Sequence, residues 1–400
     1  MSSETARPRI CLNMIVRNES KLIEHCLLSV IPYVDTWVII DTGSTDNTME
    51  IIKRVMAGKP GVLLEDTWVD FGTNRTSAVH AAQTASFSGP SSYLLFMDAD
   101  DAFVAPEGFK WPALTKDAYE LWMEYGSYRY VRQVLVSNKL TWRWVGVLHE
   151  YPESFPPTAS VERLEVPYMR VSTDGARSQD PEKYVKDAEV LRRALVAKPG
   201  DTRYMFYLAQ SLRDAGMWLD ALEAYEVRAE AGGWEEEAFV SLLEIARIKE
   251  RLTEGVVDAE VADAYLAAFE FRPSRAEPLV DLAQWYRLQG RYQLAYLYAS
   301  QADKINLLND RLFLDKSYYE WRATDEMAIA AYWVGRFDEC SWLCGALLSL
   351  GQLPDNEVGR IKANKKFADE KIPPRGLCVG IESATANAEP TPKKEPYHVI

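Results

Sequence analysis

The stretch YLLFMDADD, residues 93–101, joins an apolar run to three carboxylates within four residues. The apolar part is typical of a short buried strand, and Asp98, Asp100 and Asp101 follow at its carboxyl end. Like charges this close repel one another, and isolated buried carboxylates are costly, so the cluster indicates a divalent cation or strong hydrogen-bond donors nearby. A solvated acidic turn is the alternative interpretation, and the sequence upstream argues against it.

Upstream, residues 9–97 alternate short apolar runs with amphipathic stretches, which predicts an α/β fold with a parallel sheet. Strands are predicted at 9–16, 36–40, 61–65 and 93–97, and helices at 19–31, after a turn at Gly43, and at 73–85. Ligands of open α/β sheets bind at the carboxyl ends of the strands. That edge carries the polar stretches 13–19, 41–46 and 98–101, so we expect three loops to converge on one crevice.

Length and composition predict two domains. A chain of 400 residues is longer than one ordinary core requires, and 48% hydrophobic with 26% charged residues is typical of globular proteins. The predicted sheet domain spans residues 1–177, an all-helical domain spans 178–370, and a flexible tail spans 371–400. The tail is predicted from its proline-rich sequence, which lacks periodicity.

Composition also bears on compartment and partners. No run approaches the ~20 apolar residues of a membrane span, and the start of the chain lacks the apolar core of a signal peptide. Five cysteines, an odd number without a spaced framework, fit reduced thiols. We therefore expect a soluble, cytoplasmic protein without membrane contacts. The net charge of −14 argues against binding to a nucleic-acid backbone, although a local basic groove stays compatible with it.

Residues 180–368 are predicted to be helical almost throughout, with small residues recurring where helices would cross. Three units, centred on Gly216, Gly290 and Gly335, resemble tetratricopeptide repeats, in which a small residue lets paired helices approach and the glycine ends the first helix. A degenerate unit is predicted at 238–271, and a lead-in helix at 184–199. Such arrays often present a surface to a peptide or protein, or form a homodimer interface. A purely structural role is the alternative.

Residues 9–151 resemble a known enzyme family. The motifs LNMIVRNE at 12–19, VIIDTGSTDNT at 38–48 and FMDADD at 96–101 are similar, in order and spacing, to family-2-type glycosyltransferases of the GT-A fold. The resemblance implies an α/β, Rossmann-like and mostly parallel N-terminal domain, followed here by the all-α tetratricopeptide-like domain. It also implies transfer of a sugar from a nucleotide-sugar donor, usually with inversion at the anomeric carbon and assistance by Mn²⁺ or Mg²⁺.

The residue roles that the resemblance implies fit the chemistry of this reaction. The leaving diphosphate must be neutralised as charge develops, and a hard cation held by carboxylates does this without a proton. Asp100 is the predicted metal ligand, Asp98 is predicted to reach the ribose or a metal-bound water, and Asp101 to bind metal or donor hydroxyls. The predicted contacts to the nucleotide are Met14, Arg17, Glu19 and Asp41.

The sequence departs from the family pattern at one position that concerns the base. The commonest pattern has a second Asp just before the turn glycine, whereas this chain has Thr42. A UDP-sugar is the predicted donor, but a uracil contact at this position stays open.

Arg75 lies in the stretch DFGTNRT, residues 70–76, between the third strand and the next helix. An arginine in the first turn of a helix opposes the helix dipole, which suggests another reason for its position. Arg75 is therefore predicted as a bidentate donor to the diphosphate. The alternative explanation of this segment is that Thr73 simply caps the helix.

The stretch WRWVGVLHEY, residues 142–151, supplies the remaining candidates. Related transferases with helical-repeat tails show a similar His-Glu pair, so His149 is predicted as a further metal ligand through a neutral imidazole. Glu150 is predicted as the general base that takes the acceptor proton. The other carboxylates that could approach this space are Asp101, Glu153 and Asp174. Trp142 and Trp144 have flat faces suited to a sugar ring, with core packing as the alternative.

Several functions remain open from sequence alone. The leading hypothesis is a metal-dependent, inverting glycosyltransferase that acts on a protein or peptide hydroxyl or thiol. A saccharide acceptor is second, and a modified nucleic-acid base is third because of the negative charge. A different class is a helical-repeat binding protein with an inactive transferase domain. The three acidic residues at 98–101 argue against that class, because an inactive site has no reason to keep mutually repelling charges.

Overall fold

The computed structural model describes residues 7–85, 92–172, 174–175, 180–253, 255, 258–307, 309–351 and 353–373. Its contacts divide the chain into two compact units, Met1–Ile248 with Asn309–Asp315, and Lys249–Leu308 with Lys316–Ile400. The secondary structure changes from strands to helices between residues 170 and 183, close to the predicted domain boundary at 177. The first compact unit nevertheless extends through the first helices of the helical region. The boundary at 177 therefore stays a prediction as a limit between folding units.

The first unit is built on a mixed sheet. Its strands are β1 Arg9–Val16, β2 Thr36–Asp41, β3 Gly61–Glu65, β4 Ser92–Phe96, β5 Ala102–Val104, β6 Ala118–Tyr125, β7 Tyr128–Ser137, β8 Thr141–Val145, β9 Tyr151–Phe155, β10 Val161–Arg170 and β11 Leu314–Asp315. The strand order in the main sheet is β3-β2-β1-β4-β7-β6-β10-β5, with β11 against β7. Strands β8 and β9 pair with each other as a separate antiparallel ladder.

The predicted strands form the parallel half of this sheet. Val16 of β1 pairs with Asp41 of β2, and Asp41 pairs with Glu65 of β3. On the other side of β1, Asn13 lies opposite Phe96 at the end of β4. The carboxyl ends of these strands therefore meet at one edge, as the sequence predicts. Every residue of β2 and β4 is buried, which is typical of parallel strands covered on both faces.

The other half of the sheet adds antiparallel pairs. Strand β4 pairs antiparallel with β7, and β7 pairs antiparallel with β6. Strand β10 runs parallel to β6 and antiparallel to β5. The predicted α/β fold is confirmed, and the structure extends it with strands that the sequence pattern left unassigned.

Helices cover the sheet and continue beyond it in the first unit. Their bounds are α1 Ile23–Val30, α2 Thr48–Met56, α3 Phe71–Thr84, α4 Lys183–Ala197, α5 Thr202–Asp214, α6 Trp218–Glu230 and α7 Glu235–Leu252, whose last residues fall in the second unit. The apolar faces of the first three helices join the core of the sheet through residues such as Ile23, Ile52 and Val79. Asp70 caps α3, because its Oδ1 accepts the Thr73 N–H at 2.7 Å. The alternative explanation that Thr73 caps the helix is therefore wrong.

The second unit is helical apart from its connections. Its helices are α8 Ala259–Phe271, α9 Glu277–Leu288, α10 Tyr292–Ala302, α11 Ala323–Trp333, α12 Phe337–Leu350 and α13 Asp355–Lys371, with a π-helical turn at Tyr318–Arg322 before α11. Alanines with no exposed surface, such as Ala299 and Ala328, allow the close approach of neighbouring helices.

Three helix pairs share the same turn. Gly216, Gly290 and Gly335 have φ angles of +75°, +70° and +82°. In each pair the residue after the glycine donates its N–H to the carbonyl five positions earlier, as Met217 does to Leu212 at 2.9 Å. This is the Schellman ending of a helix, and glycine adopts its left-handed conformation without a steric penalty. The predicted role of the glycine in ending the first helix of each pair is confirmed.

Two further predictions concern membranes and the tail. None of the helices in the described ranges is long and apolar enough to cross a membrane. The predicted tail at 371–400 lies outside the described residues beyond position 373, and α13 extends to Lys371.

Candidate active site

The end of β2 forms a turn around a carboxylate. Oδ1 of Asp41 accepts the N–H groups of Gly43 at 2.9 Å and Ser44 at 2.7 Å. Gly43 has a φ angle of +105°, which L side chains rarely adopt. Asp41 is 2% exposed, and its Oδ2 is buried without a hydrogen-bond partner among the described residues. Because a buried carboxylate oxygen without a donor is costly, Asp41 is suited to accept an N–H or O–H from a ligand.

The loop after β1 is tied to this turn. Asn18 has a left-handed φ angle of +57°, and its Oδ1 accepts the Thr45 N–H at 2.7 Å. The N–H of Asn18 donates to Ser44 Oγ at 2.9 Å, and the N–H of Glu19 donates to Thr48 Oγ1 at 2.9 Å. These bonds hold two of the three converging loops side by side, which is the arrangement that the sequence predicts.

The four predicted nucleotide contacts lie in different environments. Arg17 is exposed and Glu19 is half-buried, and both lie beside Asp41 at the carboxyl edge. Met14 instead lies within the core and is 1% exposed. Its side chain is enclosed because β1 is a central strand with parallel neighbours on both sides. The structure therefore brings three of the four residues to the edge, and Met14 supplies packing.

Asp98, the first of the three carboxylates after β4, is paired with two arginines. Arg75 of α3 donates through Nη2 to Oδ1, and Arg132 of β7 donates through Nη1 to Oδ2 at 3.0 Å. Burial alone would raise the pKa of Asp98, but the two guanidinium groups outweigh it and hold the pKa below its usual range. Asp98 is therefore a fixed anion, and both of its oxygens are engaged by protein donors.

Arg75 links this pair to the loop between β8 and β9. Its Nε donates to Glu150 Oε1 at 2.6 Å, and its guanidinium carbon lies 4.9 Å from the centre of the Trp144 ring. The four side chains Glu150, Arg75, Asp98 and Arg132 thus alternate in charge, and we call them the ion-pair series. Arg75 is buried, and its position in α3 is explained by these partners. Its predicted contact with a diphosphate stays a prediction.

Asp100 and Asp101 have no such compensation. Among the described residues, no lysine or arginine forms an ion pair with either carboxylate. Burial, reinforced by the charge of Asp98, raises the pKa of Asp100. The same two causes raise the pKa of Asp101, which is 3% exposed, well above its ordinary value of 3.8. The ionised forms of these two carboxylates are therefore stabilised less well by the described protein groups than that of Asp98.

The carboxylate oxygens of Asp100 and Asp101 are of the type that a divalent cation would take as ligands. Mg²⁺ and similar hard cations take oxygen ligands, commonly one or two carboxylates together with substrate phosphates and water. A cation would also offset the charge of Asp98, which adds to burial in raising both pKa values. In the parts of the chain that the structure describes, no three His, Cys, Asp or Glu side chains are grouped to hold a metal ion. Asp100 and Asp101 would hold such an ion jointly with ligands from outside the protein.

His149 is oriented by α5. Its φ angle of +52° is left-handed, and its ring stacks on Tyr207 with centroids 3.7 Å apart and an angle of 4° between the planes. Its carbonyl oxygen accepts two bonds from Arg203, from Nη2 at 2.8 Å and from Nε at 3.3 Å. The predicted role of His149 as a metal ligand stays a prediction, and the described contacts show a residue held by a helix.

The remaining candidates of the 142–174 region have structural partners. Trp142 donates Nε1–H to the Ser137 carbonyl at 2.9 Å, and Trp144 packs edge-on against Phe96 with centroids 4.9 Å apart. Both tryptophans are buried, so they pack in the core instead of offering a face to a sugar. The alternative bases are also engaged, since Glu153 pairs with Arg143 and Asp174 accepts from Ser172.

Sequence reasoning missed three residues of this site. Arg132 lies on the same face of β7 as Tyr130, because residues two apart in a strand share a face, and a charged residue on such a face is a signal that could have been used. Arg203 and Tyr207 gave no comparable signal, because they lie on a helix that packs near Glu150 only after folding.

Comparisons with known proteins find similarity to one enzyme family and to tetratricopeptide repeat proteins. Residues 11–142 match the model of Glycosyl transferase family 2. A TPR repeat-containing protein of Synechococcus elongatus is 35% identical over 100 residues, which are 25% of this chain and 22% of that protein. A solved tetratricopeptide repeat protein from Parabacteroides merdae is 19% identical, with a TM-score of 0.37, and the match covers 48% of this chain and 69% of that one. A thermophilic TPR protein from Thermus thermophilus is 16% identical, with a TM-score of 0.32. This match covers 47% of this chain and 91% of that one.

The family match includes all three polar loops of the carboxyl edge, together with Arg75 and Arg132. It ends before Glu150 and before α5. Residues 11–142 are therefore similar to glycosyltransferase family 2, and the chain is also similar to a TPR repeat-containing protein over 100 residues.

Proposed function

We propose that the protein transfers a sugar from a nucleotide-sugar to a hydroxyl or thiol acceptor, with Mn²⁺ or Mg²⁺ bound beside Asp100 and Asp101. The observation that carries this proposal is the unequal compensation within the acidic cluster. Asp98 has two arginine partners, whereas its two neighbours have none among the described residues. Two unbalanced carboxylates at the carboxyl edge of a family 2 domain suit a cation and a diphosphate.

The nucleotide side is proposed to rest on Asp41. An ionised carboxylate only accepts hydrogen bonds, so the buried Oδ2, which lacks a partner among the described residues, would select a ligand group with an N–H or O–H. The N3–H of uracil is such a donor, and UDP is the nucleotide that we propose. Thr42 is engaged elsewhere, because its Oγ1 donates to the Val16 carbonyl at 3.1 Å. Arg17 and Glu19 lie at the rim of the same edge.

Departure of the diphosphate is the step that a cation would assist. A bound cation neutralises the negative charge that develops on the leaving oxygen. The residues of the chain contribute by fixing charge. Asp100 and Asp101 would supply oxygen ligands to such a cation, and Arg75 and Arg132 keep Asp98 ionised beside them.

The acceptor proton is proposed to pass to Glu150. Arg75 engages Oε1 of this carboxylate, while no donor in the described ranges engages Oε2. An anchored carboxylate with one open oxygen can take the proton from an acceptor O–H or S–H. The acceptor atom then bonds to the anomeric carbon, and the bond from that carbon to the diphosphate oxygen breaks with its electron pair leaving on the nucleotide. Attack on the face opposite the leaving group inverts the configuration.

The acceptor is proposed to be a protein or peptide side chain, with a saccharide as the second candidate. Support comes from the helical region, since paired-helix arrays commonly present surfaces to peptides. The same proposal includes a homodimer formed through the second unit. It also includes a cytoplasmic location.

The experiment is a thermal-shift screen of the full chain with UDP, GDP and dTDP, each with and without Mn²⁺. Assays of nucleotide release from the corresponding nucleotide-sugars follow. UDP with Mn²⁺ is expected to give the largest rise in Tm, because ligands of the folded state stabilise it by mass action. UDP release from a UDP-sugar is expected to follow. If no nucleotide shifts Tm with Mn²⁺ and no nucleotide-sugar is cleaved, the alternative of an inactive transferase domain in a binding protein is favoured.

A further inference from the structure

We propose that helix α5 is part of the transferase site, and that Arg203 and Tyr207 are positioning residues that hold the loop 146–151 so that Glu150 faces Arg75. The catalytic consequence rests on the proposed function, whereas the positioning itself does not. Residues 202–214 lie outside the match to the family model, which ends at residue 142. The helical region would thus complete the site and not only follow it in sequence.

The loop has an unusual backbone. Gly146 has a φ angle of +119°, and a Cβ at this position would lie 3.2 Å from the Cα of Glu150. His149 has a φ angle of +52° although it carries a side chain. Non-glycine residues keep such conformations only where their surroundings over-determine them. Contacts outside the loop must therefore hold His149, the residue directly before Glu150.

Helix α5 supplies those contacts from one face. Arg203 donates to the His149 carbonyl from Nη2 at 2.8 Å and from Nε at 3.3 Å. Tyr207 stacks on the His149 ring at 3.7 Å, and the hydroxyl of Tyr204 accepts the Val147 N–H at 3.3 Å. Positions 203 and 207 are neighbours on a helix surface because they are four residues apart. The main chain and the ring of His149 are therefore held together.

Arg203 is itself anchored. Its guanidinium carbon lies 5.0 Å from the centre of the Tyr207 ring and 5.2 Å from that of Tyr151. Its Nη1 lies 3.7 Å from Oε1 of Glu237, a buried residue of α7 that also pairs with the buried Arg228 at 3.0 Å. These contacts fix the guanidinium of Arg203, so it is suited to hold the loop.

The loop connects the contacts of α5 to the ion-pair series through Glu150. Glu150 follows His149 directly and binds Arg75 Nε at 2.6 Å. Arg75 has two other supports, Asp98 and the Trp144 ring. Loss of the α5 contacts should therefore displace Glu150 more than Arg75. We expect a larger effect on proton transfer from the acceptor than on nucleotide binding.

The first test is hydrogen exchange of the full chain, which needs no ligand. Arg203→Ala and Tyr207→Ala are expected to speed amide exchange in peptides that cover residues 146–150. The exchange rates of Arg203→Lys and Tyr207→Phe are expected to be nearer to that of wild type. The matched control is Arg192→Ala, which removes an ion pair of 3.7 Å with Asp220 in which both side chains are 49% exposed. Unchanged exchange of the loop in both alanine variants would overturn the positioning role, whatever the reaction.

The second test uses hydrolysis of UDP-glucose with Mn²⁺ by the same variants. The two alanine variants are expected to lower kcat about ten-fold or more with little change in KM, because a displaced base slows proton transfer without removing donor contacts. Tyr207→Phe is expected to keep most of kcat, since the stacked ring remains. Unchanged kcat in variants with a loosened loop would overturn the coupling to Glu150. If wild type cleaves no nucleotide-sugar, the proposed function alone is contradicted, and the exchange result still decides the positioning.

Discussion

The acidic cluster at residues 98–101 of the first unit and the buried carboxylates of the second unit are compensated differently. In the second unit, carboxylates with little exposure each have an arginine partner: Glu277 with Arg275 at 2.8 Å, Glu326 with Arg287 at 2.7 Å, and Asp325 with Arg360 at 2.7 Å. In the first unit, Asp98 has two arginines, while Asp100 and Asp101 have no ion-pair partner among the described residues. The matched pairs suit a structural role. The unmatched carboxylates suit a role that includes a ligand.

This difference separates stability from function in an experiment. Removing one member of a buried ion pair leaves an uncompensated charge and typically costs about 3–5 kcal/mol. Removing an unmatched carboxylate relieves repulsion instead. Substitutions in the two units should therefore change stability and activity in different combinations.

The largest effect is expected for Arg75→Met. This change removes the common partner of Asp98 and Glu150, so it should lower the free energy of unfolding by about 3 kcal/mol. It should also reduce UDP-sugar hydrolysis at least about 100-fold, because oriented charge in a buried site contributes that much to catalysis. Urea unfolding and the hydrolysis rate check the two parts. The control Arg287→Met in the second unit should lose stability and keep its hydrolysis rate. If Arg287→Met and Arg75→Met lost activity equally, the proposed difference between the two regions would be contradicted.

The next effect is expected for Asp98→Asn. The pKa of Asp98 is lowered in the folded state by Arg75 and Arg132, against the opposing effect of burial. Its stabilisation is therefore present above the ordinary value of 3.8 and is lost as the pH falls through the folded pKa. The variant should lose about 2 kcal/mol at pH 7 and clearly less at pH 3, below the ordinary value, as measured by urea unfolding. A loss that does not shrink toward acid pH would contradict this assignment.

For Asp101→Asn we expect a smaller change in the free energy of unfolding, and the change should be stabilising. The pKa of Asp101 is raised by burial and by Asp98, so its ionised form costs stability above pH 3.8. Without divalent cations the variant should gain about 1 kcal/mol at pH 7, and the gain should fall as the pH approaches 3.8. Added Mn²⁺ should reduce the difference by stabilising the wild type. A variant that is less stable than wild type at pH 7 without cations would show that Asp101 is compensated.

The parallel half of the fold could be predicted from the sequence. The predicted bounds of β1 and β3 agree with the structure, because apolar runs bounded by turns are local signals. The antiparallel half could not, since the pairing of β4 with β7 joins segments that no local pattern relates. The site shows the same limit. Asp98, Asp100 and Asp101 are adjacent in sequence, whereas Arg132 lies 34 positions from Asp98 and Arg203 lies 54 positions from His149.

The position of α5 also changes how the helical region should be tested. A chain cut at the predicted boundary of 177 would lose Arg203 and Tyr207 together with any acceptor surface. Such a truncation would confuse loss of the site with loss of acceptor binding. Point substitutions in the full chain avoid this problem, because the second unit stays intact.

The most direct test of the central claim is calorimetric titration of UDP in the presence and absence of Mn²⁺. Wild type and Glu326→Gln, a variant of a matched carboxylate in the second unit, are expected to bind UDP more tightly with Mn²⁺. Asp100→Ala is expected to lose this Mn²⁺ dependence, with affinity weaker by about ten-fold or more because a charge-balancing ligand is gone. Equal Mn²⁺-dependent binding by Asp100→Ala and wild type would contradict the account.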